Sequence, residues 1–207
     1  MIFAGVWSEW ATIRSDLFHW RKRLAIGRKL ALCLGMACLT GLLAQVRVPL
    51  PFTPVPVTGQ VVAVLLAGIL LGRRFGAVSQ VIYVGLGAVG VPWFSGWTSG
   101  SLFGPTAGYL LGFIAAAGLI GWLVDNHPSV RRLPWLLVLM SSGIGIIYLL
   151  GALQFAWVTR MDLTYTLKFA VLPFIPFDVA KAILAASVSS ALLPKQKRCH
   201  RGGEAPR

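Results

Sequence analysis

Residues 103–124 read FGPTAGYLLGFIAAAGLIGWLV, 22 consecutive positions from Phe103 to Val124 without a charge. A bilayer core of about 30 Å takes about 20 apolar residues in a helix, so this run alone is long enough to cross one. Further uncharged runs lie on both sides: residues 30–46, with the single amide Gln45; 57–72, ending at Arg73-Arg74; 75–93; and 133–158. The last run, 169–193, holds two ionisable groups, Asp178 and Lys181. The pattern predicts an all-α integral membrane protein with six transmembrane helices. Residues 1–29 form a basic amphipathic extension, 30–193 the six-helix membrane domain, and 194–207 a basic tail. Composition agrees, because 57% hydrophobic against 12% charged residues, at mean hydropathy +0.76, is more apolar surface than a soluble fold can hide.

Orientation follows from the basic residues. Of the 19 Lys and Arg, all but Arg47, Arg160, Lys168 and the intramembrane Lys181 fall on the side that holds both ends. The positive-inside rule then makes the N- and C-termini cytoplasmic, in a multi-pass protein of the cell's inner (plasma) membrane. The same distribution accounts for the net charge of +13 without any nucleic acid partner. Trp10, Ile13, Leu17, Trp20 and Leu24 recur at helical spacing among basic residues. That suits a helix lying on membrane lipid at the interface, or an elongated first transmembrane helix. Cys33, Cys38 and Cys199 form no CxxC pair and the three histidines are scattered, which supports neither a disulfide framework nor a zinc site. No GxxxxGK[ST] run is present, so the chain binds no ATP in the P-loop manner.

Three places break the logic of a lipid-soluble helix. Asp178 and Lys181 stand one turn apart on one helical face, inside an apolar segment. Each costs about 2.5–3.5 kcal/mol at mid-bilayer, so both must face protein or a water-filled cavity, as a self-satisfied ion pair or as a ligand site. The preceding Leu172-Pro-Phe-Ile-Pro-Phe177 sets the helix start near Pro176, with its amides directed at an outward cavity. Residues 49–60, PLPFTPVPVTGQ, carry four prolines in eight positions. Such a chain prefers extended polyproline-like geometry and suits a stiff flap over a cavity, or a re-entrant plug, with Thr58 and Gln60 beneath it. Residues 91–106 form a second uncharged outer segment, whose Trp93 and Trp97 either face a flat ligand or anchor the interface. Its GWTSG has Thr at the centre and no outer histidine as base, which argues against hydrolase chemistry. Glycines 68, 72 and 76, and 104, 108 and 112, recur every four residues, as small residues do where helices approach closely, within the bundle or against another membrane protein.

Together PLPFTPVPVTGQ (49–60), LLAGILLG (65–72), GPTAGYLLGF (104–113) and PFIPFDVAK (173–181) resemble the BioY family, biotin-specific S components of energy-coupling factor (ECF) transporters. The likeness runs from about residue 30 to 193. It departs in the long extension and at Phe177, where the family commonly has glycine. It implies an S-component-like bundle that takes up biotin, with no catalytic residue, no metal and no cofactor in this chain. Asp178 and Lys181 would meet the ureido ring or the carboxylate, with Gln60, Thr58 and Tyr83 as further contacts. Pro49, Pro51, Phe52, Pro54 and Pro56 would form a lid. The small-residue face of the first span, Ala31 and Gly35, would dock on an ECF transmembrane coupling protein carrying two ATPase subunits, which use the ATP. A solitary biotin transporter, self-association, and an S component for another vitamin are the alternatives.

Overall fold

The computed structural model describes residues 26–100 and 102–194, together with 12, 14–16, 18, 20, 21 and 23–25 of the leading segment. The remaining positions of the basic amphipathic extension and the basic tail from 195 lie outside the described residues. The chain runs α1 (Ile26–Gln45), β1 (Arg47–Val48), β2 (Val57–Thr58), α2 (Gln60–Ala88), α3 (Ala107–Asn126), a 3-10 turn (Pro128–Arg131), α4 (Leu133–Thr159), α5 (Leu163–Ala170), a second 3-10 turn (Leu172–Phe174) and α6 (Ile175–Leu192). Among the described residues, five lengths are long and apolar enough to cross a membrane: α1, α2, α3, α4 and the combined Leu163–Leu192.

The second of these lengths is folded on itself. Gln60 and Tyr83 would stand about 35 Å apart in a straight helix at 1.5 Å per residue. Instead the Tyr83 hydroxyl donates to Gln60 Oε1 at 3.1 Å. The reversal occurs at Gly72, whose φ of 78° and ψ of −175° are non-helical and open mainly to glycine. A Cβ on Gly76 would come within 3.0 Å of the Ala67 carbonyl oxygen and of Gly68 Cα, so the two arms touch just beyond the turn. The two runs that the sequence separates at Arg73-Arg74 are therefore the arms of one hairpin. The first arm begins at Gln60 and not at 57, because Val57 and Thr58 pair with Val48 and Arg47 as strands.

Glycines set the closest helix contacts. A Cβ on Gly68 would lie 2.6 Å from the Ala117 carbonyl oxygen of α3, and one on Gly112 would lie 2.8 Å from Ile147 Cα of α4. Gly108 abuts Leu150 in the same way. Backbones at that range exclude any side chain, so these repeats serve packing inside the bundle, whereas Gly104 faces open space. Around them Leu65, Ile69, Phe113, Ile120, Met140 and Phe155 are buried. Outside, Leu149, Leu153, Val179, Ile183 and Leu184 are exposed, an apolar shell of the kind that lipid solvates.

The reversal at Gly72 leaves helix-end carbonyls and amides without partners, and two charged side chains from elsewhere supply them. Arg21 donates through Nη1 to the carbonyls of Ile69 (3.0 Å) and Leu70 (3.2 Å). Asp125, at the end of α3, accepts from the Arg73 amide at 3.3 Å and forms an ion pair with Arg21. A cation at the end of one arm and an anion at the start of the next both suit the helix dipoles. Burial holds the Arg21 pKa below its ordinary value, and Asp125 acts against that shift. Phe18 completes the latch, with the Arg21 and Arg131 guanidinium carbons 4.1 and 4.4 Å from its ring centroid. Phe18 and Leu24 are thus buried against the bundle, while Trp20 is exposed.

Asp125→Asn keeps the shape of the latch but removes its charge. With the Asp125 side chain 27% exposed, the expected loss is about 1–2 kcal/mol. The thermal midpoint of the purified protein should fall by about 2–4 °C for each of them, measured by tryptophan fluorescence during heating.

Candidate substrate-binding site

At the end of the bundle away from Gly72, a cavity of about 310 Å³ opens among α2, α3, α4, α6 and the two loops that follow α1 and α2. That volume sits at the small end of the range for ligand pockets. Its most polar element is the start of α6. Ile175 begins the helix, Pro176 occupies its first turn, and Asp178 lies in that turn too, close to where the paired prolines place the helix start. Lys181 Nζ donates to Asp178 Oδ1 at 2.6 Å, the two side chains being 15% and 7% exposed.

A third group joins this pair. The Tyr148 hydroxyl, from α4, donates to Asp178 Oδ2 at 2.6 Å. Each carboxylate oxygen then has one protein donor, and an ionised carboxylate offers about four lone-pair sites. Asp178 can therefore accept further bonds from a guest without giving up the two it has.

The wall nearer the mouth is aromatic and amide in character. Gln60, at the start of α2, accepts at Oε1 from Tyr83, which leaves its Nε2 as a donor. Tyr83 is fully buried, and its ring lies 5.4 Å from Trp93 and 5.5 Å, edge-on, from Phe94. The Trp93 indole donates to the Tyr83 carbonyl at 2.9 Å, while Trp97 points outward, 65% exposed. Gln45, the amide in the first apolar run, organises this loop. It donates to the Trp93 and Phe94 carbonyls and accepts from the Gly96 and Trp97 amides. Of the two aromatic candidates, then, neither tryptophan lines the cavity; Phe94 does.

The proline segment spans the gap between β1 and β2. Val55 is buried, and Pro54, Val55, Pro56 and Thr58 line the cavity. Pro49, Pro51 and Phe52 are exposed and do not line it. Arg47 pairs with Thr58 across the strands, is exposed, and lines the mouth.

The structure brings Asp178, Lys181, Gln60, Thr58 and Tyr83 around one cavity. Ala31 and Gly35 sit elsewhere, exposed on α1 beside a different hollow. Sequence reasoning missed Tyr148 and Arg47. The signal for Tyr148 was a phenol in a long apolar run, and for Arg47 a cation directly before the proline segment. Of the charged lining residues, Asp178 and Lys181 cancel and Arg47 remains, so the cavity carries a formal charge of +1. A small guest with hydrogen-bonding groups, an apolar part and one negative charge complements these lining groups.

Relatives of known description bear on this geometry. The chain is 41% identical over 140 residues to a probable biotin transporter BioY of Methanothermobacter thermautotrophicus, covering 63% of this chain and 89% of that one. It is 37% identical over 147 residues to the biotin transporter BioY of Thermotoga maritima, covering 70% and 85%. Among solved structures, the S-component for biotin from an ECF-type ABC transporter superposes with a TM-score of 0.74 at 25% identity, over 82% of this chain and 94% of that one. The BioY family model matches residues 16–198, from the latch segment through every helix that lines the cavity, and the chain belongs to the BioY family.

Proposed function

We propose that this chain is the membrane subunit that captures biotin from outside the cell and delivers it inward with an ATP-hydrolysing coupling module. The observation that carries the proposal is the set of groups that line one cavity: a hydrogen-bonded ion pair, aromatic side chains and an exposed cation. Biotin presents a ureido ring with two N–H donors and a carbonyl, an apolar thioether ring, and a chain ending in one carboxylate. Asp178 accepts from the ureido N–H groups, and Lys181 donates to the ureido carbonyl. Charge-assisted bonds of this kind are about twice as strong as neutral ones. Tyr148 holds the carboxylate in place, Gln60 and Thr58 add polar contacts, Tyr83 fixes Gln60, and Arg47 meets the biotin carboxylate.

In this scheme the chain crosses the inner membrane six times with both ends cytoplasmic, the arms of α2 being the second and third crossings. Residues 49–56, including Pro49, Pro51, Phe52, Pro54 and Pro56, form a lid hinged on the β1–β2 pair. The Ala31–Gly35 face of α1 docks on the transmembrane coupling protein. What supports that docking is the exposure of both residues and the resemblance to S components.

Two binding results are expected from calorimetry on the purified protein. Asp178→Asn strands the Lys181 charge, and Lys181→Ala strands the Asp178 charge. Removing one member of such a buried pair costs about 2–5 kcal/mol, so each change should weaken biotin by about thirtyfold or more. Wild-type affinity in either variant would overturn the proposal. Arg47→Gln, at the exposed mouth, should weaken biotin only by about fivefold, the worth of about 1 kcal/mol. Biotinamide, which lacks the negative charge, should bind wild type and Arg47→Gln alike.

Tyr148→Phe removes one donor from Asp178 and should weaken biotin by about tenfold, in line with about 1.5 kcal/mol for a bond to a charged group. Uptake has its own assay. Proteoliposomes holding the chain with the coupling module should accumulate biotin only when ATP is supplied. Equal uptake without the module would assign the chain as a solitary transporter.

A further inference from the structure

The junction between α5 and α6 places Asp178, yet it has little of its own to hold it. Ala170 ends α5, Val171 departs from helical geometry, and Leu172–Phe174 make one 3-10 turn before α6 begins at Ile175. Pro173 and Pro176 have no N–H to contribute to that stretch. The last carbonyls of a helix have no partner within it, and Ala170 is wholly buried. Its carbonyl accepts from the Tyr109 hydroxyl of α3 at 2.5 Å. The junction is tied from outside.

Tyr109 is itself firmly seated. A Cβ on Gly151 of α4 would lie 2.4–2.6 Å from three atoms of its ring, so the ring rests on backbone that only a glycine leaves bare. Gly108 and Gly112, on either side of Tyr109 in sequence, fix α3 to the same helix at Leu150 and Ile147. Tyr148, the second donor to Asp178, stands three residues before Gly151, on the same side of α4. One side chain of α3 therefore touches α4 a turn from Tyr148 and touches the end of α5 eight residues before Asp178. Its ring also lines the cavity, while Gly151 does not.

We propose that Tyr109 is a positioning residue for the binding site. By holding the Ala170 carbonyl against the α3–α4 pair, its hydroxyl sets where α6 starts and keeps Asp178 within reach of Tyr148 before biotin arrives. This inference rests on the reading of the cavity as a biotin site. A site that is preformed only part of the time loses apparent affinity by that fraction. The loss then falls on association, whereas removal of a direct contact speeds dissociation.

The test is Tyr109→Phe in the full chain in detergent, which keeps the ring and removes the hydroxyl. Calorimetry should show biotin weakened by about tenfold, the worth of a buried acceptor left unpaired. Stopped-flow tryptophan fluorescence should show association slowed by about the same factor and dissociation unchanged. In an Asp178→Asn background, with no carboxylate charge left to place, the same change should alter affinity by less than about twofold, because sites that act through one another do not add. Gly151→Ala, which displaces the ring and leaves the hydroxyl in place, should slow association likewise, and it carries the test if Tyr109→Phe does not fold. Faster dissociation would make Tyr109 a plain contact of biotin and overturn the proposal. So would the full loss in both backgrounds, or a lower thermal midpoint at unchanged affinity, which would leave the hydroxyl as no more than a cap of α5. Each of these outcomes needs a wild type that binds biotin; a wild type that does not would overturn the proposed function and this inference with it.

Discussion

A carboxylate in the interior of an apolar bundle is tolerable only when its oxygens are bonded, and Asp178 has both of them bonded. Lys181 neutralises it from one turn further along the same helix, and Tyr148 reaches it from α4. Breaking a buried pair leaves an uncompensated charge, which is far more costly than never having had one. The geometry of α4 against α6 is therefore bound to the geometry of the site. The paired prolines serve the same end. They delay α6 until Ile175 and bring Asp178 into its first turn, where a negative charge is favoured by the helix dipole.

The same constraint governs both ends of the molecule. Where hydrocarbon surrounds a chain, irregular backbone is tolerated only if protein or a cavity satisfies its polar groups. At the cavity end, Gln45 spends one amide on two carbonyls and two N–H groups of the 93–97 loop. At the other end, Arg21 and Asp125 cap the two arms that meet at Gly72. In each case one side chain from a distant element meets several backbone groups at once. The leading segment is in this respect part of the bundle: Arg21 and Phe18 belong to the arrangement that lets α2 turn.

Much of this was legible in the sequence, for reasons that can be named. Apolar run length marks helices directly, and an Asp and a Lys inside such a run announce contact with protein or a cavity because lipid does not tolerate them. Arg73-Arg74 marked a break between two runs, and the reversal lies one residue earlier, at Gly72, a glycine free to take φ of 78°. What failed to show were groups defined by partners far along the chain. Tyr148 looks like any phenol in a helix until Asp178 is beside it, 30 residues on. Arg21 and Asp125, 104 residues apart, give no local sign of each other. Arg47 was read for the side of the membrane it marks, because a cation between two spans carries that information whether or not it lines a pocket. The glycine repeats had two meanings with one pattern, and only the contacts of Gly68, Gly108 and Gly112 choose between them.

The charge of the cavity bears on how a transport cycle can be driven. Asp178 and Lys181 cancel, Arg47 leaves +1, and a monoanion such as biotin brings the loaded site to zero. A site without net charge gains and loses nothing from a membrane potential, whereas a site of +1 couples to it by up to about 2.3 kcal/mol per 100 mV if it moves through the whole field. With the cell interior negative, that coupling opposes the outward return of the emptied site and leaves the inward, loaded step indifferent. Under the proposed function, the step that needs work is then resetting, after biotin has left. An energy source acting on the emptied protein suits that requirement better than one acting on capture.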